Sequence, residues 1–440
     1  MQDTESVENE KLFLTNIYIY DIILKIKNTE PMIGGRKMKF VFSKANVFSG
    51  GTIGKGDYSF NIDSAHEIPA ANYGGTVFDC SEYFIFPGFT DVHVHFREPG
   101  FLYKENTKTG SLAAAHGGYT TVCTMPNLNP TPDSVENLNV QLEAIKSGAK
   151  IRVLPFGSIT KGEAGKELSD IEALAPYVCG YSDDGRGVDN TGLMREAMQR
   201  AKALGKVISA HCEDGSCIKD SPEAEWKQIE RDIRLADEVG CKYHVCHIST
   251  KESVTLIRDA KKSGVDITCE TAPHYLLLTD ADKCDSGRFR MNPPLRDEAD
   301  KLALIEGVID GTVDMIATDH APHSAEEKGR GFEKSLNGIV GLETAFPVLY
   351  TGLVKKAIIT LERLVTMMSD APNKRFGLEC GGFNVYDLNA EYKIDPSEFM
   401  TMGRSTPFEG NTVFGKCLMT VCDGKTAWLD TTFGNKITLI

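Results

Sequence analysis

Between residues 84 and 318 the chain alternates short apolar runs with longer stretches of helical periodicity. The apolar runs are rich in Val, Ile, Tyr and Cys and read as strands buried on both faces. They are Phe84–His93, Tyr119–Met125, Ile151–Phe156, Tyr177–Ser182, Lys206–His211, Tyr243–His247, Val265–Thr271 and Asp314–Thr318. Amphipathic segments such as Asn190–Leu204, Glu223–Val239, Lys251–Lys262 and Glu298–Ile309 lie between them, several closed by Gly. Strand and helix alternating in this way predict an α/β fold of parallel strands, a (β/α)8 TIM-type barrel, with a doubly wound open sheet as the other compatible architecture.

The flanks follow a different rhythm. Lys39-Phe40-Val41-Phe42 opens a series of short β segments with Gly turns that runs to Phe86. After the eighth strand come helical patterns over Leu342–Lys355 and Leu361–Met368. Val413–Cys422 and Lys425–Trp428 then read as strands around an Asp423-Gly424 turn. The two flanks therefore predict one small β-sandwich domain built from both chain ends, residues 38–87 and 371–440, beside a barrel over 88–370. Residues 1–37 stand apart as an N-terminal extension: a polar, disordered start, then an apolar stretch, Leu12–Ile26, suited to a strand or short helix.

Composition narrows the partners. A net charge of -14 over 440 residues excludes a nucleic-acid role resting on a basic surface. It also means that an anionic substrate must find local positive charge, from Arg, Lys or a metal. The 12 cysteines are scattered, with no C-x-x-C pair, and several sit inside apolar strands. That is the pattern of reduced buried thiols in a cytoplasmic protein. No apolar run approaches a membrane span, and the acidic start does not resemble a signal peptide.

In a barrel the chemistry sits at the C-terminal ends of the strands. Strand one ends in His93 and His95, which point the same way at strand period. Strand four runs into Ser182-Asp183-Asp184-Gly185, strand five ends at His211, strand six at His247, and strand eight at Asp319-His320. A single strand-end histidine is commonly a hydrogen-bonded structural residue. Five strand ends delivering ligand-type side chains to one rim is a pattern that packing does not require. Nitrogen and oxygen donors without thiolate suit zinc or a similar divalent ion, and six donors exceed what one tetrahedral site uses. They fit two ions sharing a bridging carboxylate.

The motifs HVHFREPG, CTMPNLNP, YSDDG, AHCED, YHVCHIST, CETAPHYLLLTD, RMNPPLR and IATDHAPH occur in this order and resemble the dihydroorotases, a branch of the cyclic amidohydrolases. The resemblance runs from about Met38 to Trp428. It is closest to the bacterial class with an Asp where many relatives carry a carboxylated Lys. It implies a metal-dependent enzyme that reversibly cyclises N-carbamoyl-L-aspartate to L-dihydroorotate in pyrimidine synthesis, with one or two Zn2+ ions per subunit, two being the fuller arrangement.

By the same resemblance His93 and His95 match the first ion's ligands, and His211 and His247 the second's. Asp184 matches the bridge, because the family's bridging acid precedes the strand-five His by 27 residues (211 minus 184). Asp319 matches a metal ligand that is also the general base. Arg97, Asn127, Asn292 and His323 match substrate contacts. Asp91 is a candidate to orient a ligand imidazole or to cap a turn, His274 is expected to be structural, and Glu213 is left open. A cytoplasmic homodimer and an association with aspartate transcarbamoylase are also implied. The competing readings are an allantoinase- or hydantoinase-like cyclic amidase, which should offer a lysine at strand four, and a non-catalytic partner of a transcarbamoylase, which should have lost ligands.

Overall fold

The computed structural model describes residues 39–61, 64–67 and 76–436. The expected extension over 1–37, including Leu12–Ile26, lies outside the described residues.

Eight parallel strand positions close a barrel. Strands one and two are Phe89–Val94 and Tyr119–Thr124; strand three is Arg152–Pro155 continued by Gly157–Ser158. Strands four to eight are Gly180–Ser182, Val207–Ala210, Tyr243–Val245, Ile267–Thr271 and Met315–Ile316. Neighbouring strands pair in parallel around the ring. The seam between strands eight and one closes through the Val94–His320 bridge and the His95 amide, which donates to the His320 carbonyl at 2.8 Å. Several strands stop short of the ends of their apolar runs: His211, Cys246-His247 and Ala317-Thr318 lie beyond the last ladder residue of strands five, six and eight.

The run Phe84–His93, expected as one strand, divides at Gly88. A Cβ there would sit 2.1 Å from Thr120 Oγ1, so only glycine lets the chain pass strand two at this point. Phe84–Pro87 joins the small sheet and Phe89 begins the barrel. The helix expected over Leu342–Lys355 is an α-helix only over Ala345–Leu349 and continues as a π-helical turn over Tyr350–Val354. The helix Pro222–Val239 follows its sequence signals closely: Ser221 caps the Ala224 amide, Pro222 takes the first turn, and Gly240 closes it at φ 71°.

The second sheet draws strands from both ends of the chain. Its path runs Lys425–Leu429, Thr412–Cys422, Gly382–Lys393, Phe84–Pro87, Lys39–Ser49, Thr52–Asn61 and Ser64–Glu67, with Thr76–Asp79 also on Lys39–Ser49. Ile85 is the join: it pairs with Val47 in parallel and with Val385 antiparallel. The hairpin turn at Asp423-Gly424 has φ 49° and 71°, both positive as a type I′ turn requires. Phe42, Phe78, Ile85, Phe383 and Val421 form this domain's own core. The helix Asp370–Phe376, by contrast, belongs with the barrel: Arg375 bonds the Tyr243 and Asp266 carbonyls, and Phe376 packs with barrel residues Phe156 and Met315. Among the described residues no helix is long and apolar enough to cross a membrane.

Candidate metal centre

The six strand-end side chains named above converge at one buried point on the barrel rim. His93, His95, Asp184, His211, His247 and Asp319 are each at most 7% exposed. The Asp184 carboxylate is the hub. Its Oδ2 lies 3.5 Å from His95 Nε2; its Oδ1 lies 3.2 Å from His93 Nε2, 3.6 Å from His247 Nε2 and 3.8 Å from His211 Nδ1. Asp319 Oδ1 faces strand one, 3.0 Å from His95 Nε2 and 3.6 Å from His93 Nε2. His211 Nδ1 and His247 Nε2 are 3.1 Å apart.

These spacings suit divalent ions. Ligand atoms bound at about 2.0 Å to a tetrahedral zinc lie about 3.3 Å from one another, close to the separations here. Two groups, His93-His95-Asp184 and Asp184-His211-His247, have donor atoms mutually within 4.8 Å and share Asp184. His93 Nε2 and Asp184 Oδ1 are buried without a hydrogen-bond partner, a costly state that a cation between them relieves. Burial alone would raise the Asp184 carboxyl, but the facing His93, His247 and His95 imidazoles more than offset it and hold the group well below the usual carboxylate range.

Backbone conformation marks the same place. Arg97, His247 and Asp319 have φ of 59°, 30° and 48°, a region L-residues seldom occupy. Strain of this kind, about 1–3 kcal/mol per residue, is held here by the surrounding hydrogen bonds and aims three side chains at the rim.

The adjacent acids at strand four separate cleanly. Asp183 accepts from the Ile159 and Thr160 amides at 2.7 and 3.0 Å and from the Thr160 hydroxyl, so it fastens strand four to the loop after strand three. Asp184 alone reaches the histidines. Asp91 does not touch an imidazole. Its carboxylate accepts from the Thr318 amide and hydroxyl and from the His93 amide, bracing strand one against strand eight beneath the site.

The residues matched to substrate contacts lie around these six side chains. Arg97 donates from Nε to the Pro322 carbonyl at 3.2 Å and lies 3.5 Å from His323. His323 Nε2 donates to the Asn337 carbonyl at 2.7 Å, while Nδ1 accepts from Lys104 at 3.2 Å, so both ring nitrogens are engaged. Asn127 is turned toward the ligands: its Oδ1 accepts from His95 Nδ1 at 2.8 Å, and its Nδ2 donates to Asp184 at 3.3 Å. Asn292 donates to Glu213 at 3.3 Å, and Glu213 in turn lies 3.6 Å from His211 Nε2. His274 is buried near Asp319, its Nε2 without a partner, and burial pushes its imidazole down to about 4.

Two residues escaped the sequence reading. Glu270, on strand seven, is fully buried and lies 2.9 Å from His93 Nδ1 and 3.0 Å from His244 Nε2. The signal for it was a carboxylate inside an otherwise apolar strand. His244 lies inside the YHVCHIST motif but carried no assigned role there, and the strand pairing of His244 with Thr268 brings it near Glu270. Cys246 joins His93 and Glu270 in a third group of possible metal donors, but burial pushes its thiol up to about 12, which disfavours a thiolate there.

Comparison with known proteins places this arrangement. Residues 83–223 match the family described as Dihydro-orotase-like. A dihydroorotase of Fusobacterium nucleatum is 50% identical over 398 residues, 84% of this chain and 92% of that protein. A dihydroorotase of Bacillus thuringiensis is 46% identical over 391 residues, 83% and 91% of the two chains. Among solved structures, an L-hydantoinase (dihydropyrimidinase) from Arthrobacter aurescens superposes with a TM-score of 0.80 at 25% identity, covering 88% of this chain and 95% of that one. A dihydropyrimidinase from Brevibacillus agri has the same fold, with a TM-score of 0.79 at 21% identity and the same coverage.

Proposed function

The chain belongs to the dihydroorotase family, and on that footing we propose how its rim residues carry out the reversible cyclisation of N-carbamoyl-L-aspartate to L-dihydroorotate. The reading rests above all on the Asp184 carboxylate, which turns one oxygen toward His95 and the other toward His93, His211 and His247. His93, His95 and Asp319 form one half of the proposed metal site, and His211 and His247 the other, with Asp184 between. Zinc is the proposed ion, two per subunit. Bound there, it would supply Lewis acidity and water acidified to near neutral pH.

The remaining chemistry falls to the chain itself. In the hydrolytic direction a water oxygen attacks the ring amide carbonyl and the carbon–nitrogen bond breaks. Asp319 takes the water's proton and delivers it to the departing ring nitrogen; in cyclisation the same proton travels back. Its position 3.0 Å from His95 Nε2 puts it at the edge of the proposed metal site. Arg97 holds the substrate carboxylate with a guanidinium already fixed by the Pro322 carbonyl. Asn127, His323 and Asn292 complete the pocket. On binding, each would exchange a present partner: Asn127 the Asp184 oxygen, His323 the Asn337 carbonyl or Lys104, Asn292 the Glu213 carboxylate.

The proposal includes a division into a barrel and a composite β domain, a cytoplasmic homodimer, and association with aspartate transcarbamoylase. Light scattering and co-purification test the last two. The central experiment measures hydrolysis of dihydroorotate and of an uncharged hydantoin before and after chelation, with metal analysis. Zinc-dependent hydrolysis of dihydroorotate well above hydantoin is expected; a preference for hydantoin would overturn the substrate assignment.

A further inference from the structure

We propose that Glu270, at the end of the seventh barrel strand, is the positioning residue that fixes one ligand of each half of the metal site. Its Oε1 accepts from His93 Nδ1 at 2.9 Å and is also 3.4 Å from the backbone amide of His247. Its Oε2 accepts from His244 Nε2 at 3.0 Å, and His244 Nδ1 is in turn bonded to Thr268 Oγ1 at 2.8 Å. One carboxylate thus ties together strand one, strand six at two points, and strand seven.

Each contact has a distinct consequence. A bond to His93 Nδ1 places that ring's proton on Nδ1 and leaves Nε2 as the lone-pair nitrogen facing Asp184. The bond to the His247 amide acts on backbone held at φ 30° and, beside the Ile248 amide's bond to the Glu270 carbonyl, supports the conformation that brings His247 Nε2 beside His211 Nδ1. His93 belongs to the first half-site and His247 to the second. Burial makes the link firm: Glu270 and His244 are both fully enclosed, so water does not compete for these bonds. The Thr268–His244 pair holds the far oxygen and stops the carboxylate from rotating away.

This role rests on the proposed metal site, and its test is read on metal affinity, which does not depend on which ring amide the enzyme opens. The test is Glu270→Gln in the full-length protein, with zinc affinity measured by chelator competition, ions counted, and unfolding of the metal-free protein followed by heat. The expected result is roughly ten- to hundredfold weaker zinc binding at both half-sites, a lower kcat with KM nearly unchanged, and metal-free unfolding within a few degrees of the parent. Unchanged zinc affinity with a lowered unfolding temperature would make Glu270 a packing residue only and overturn the proposal. Loss of one ion with the other bound as before would overturn it differently, by making Glu270 a ligand in its own right. If Glu270→Gln does not fold, His244→Phe decides, since it leaves the His93 bond but frees the far oxygen. A severalfold loss of zinc affinity supports the positioning role, and none overturns it.

Discussion

Asp183 and Asp184 are neighbours in the chain but serve opposite sides of the strand-four terminus: the first is bonded to the Ile159 and Thr160 amides, the second faces four histidines. Asp184→Ala should therefore strip the protein of most of its metal, while Asp183→Ala retains it. Asp183→Ala should instead lower thermal stability, because each buried donor left unpaired costs about 1–3 kcal/mol. Metal counting beside thermal melts separates the two, and preferential metal loss in Asp183→Ala would reverse the assignment.

Asp319 lies 3.0 Å from His95 Nε2 and is the proposed carrier of the transferred proton. Asp319→Asn keeps an oxygen toward His95 but cannot act as a base. Its kcat should fall by about 100- to 10,000-fold, with a substantial part of the metal retained. Near-parental turnover in a metal-loaded preparation would remove Asp319 from the proton path.

Arg97 holds its guanidinium in place through Pro322 and a left-handed backbone. Lysine offers a point charge and no fork. Arg97→Lys should raise KM for dihydroorotate by about tenfold or more, as expected for losing a charge-assisted hydrogen bond worth about 1.5–3 kcal/mol. Steady-state kinetics at matched zinc loading is the measurement, and an unchanged KM would move the carboxylate contact elsewhere.

His323 supplies a pH prediction. Burial, with Arg97 and Lys104 close by, pushes its imidazole down to about 3. Folded protein keeps this ring neutral while the unfolded chain protonates it below about 6.5. The unfolded state then binds the extra proton, so this contribution to stability is intact above about 6.5 and is lost as pH falls toward 3. Denaturant unfolding at pH 7.5 and pH 5 should show a smaller drop in His323→Gln than in the parent. Equal drops would mean that His323 does not titrate as described.

Much of the barrel was legible because parallel strands buried on both faces leave long apolar runs, and glycines close the helices between them. The rim was legible for the same reason: a histidine or aspartate ending such a run stands out. What the runs could not disclose is where hydrogen bonding stops. Phe84–His93 reads as one strand, yet the approach of Thr120 to Gly88 sends its halves to different sheets. Side-chain direction was hidden too. Asp91 braces Thr318 and does not hold an imidazole, Asn127 faces His95 and Asp184, and Glu270 meets His93 across 177 residues of sequence, a separation no local pattern encodes.

Ile85, held between Val47 and Val385, sets an order for assembly. During synthesis the strand Phe84–Pro87 emerges early and can pair with Lys39–Ser49, but its other edge stays open until Gly382–Lys393 has been made. The whole barrel is translated in that interval. Contacts this distant in sequence carry a large loop-closure cost unless the intervening chain has already compacted. The barrel therefore acts as the clamp that brings the two ends together, and the small domain is the last part to close. Until then, an apolar strand edge is exposed, the kind of surface on which partly made chains associate.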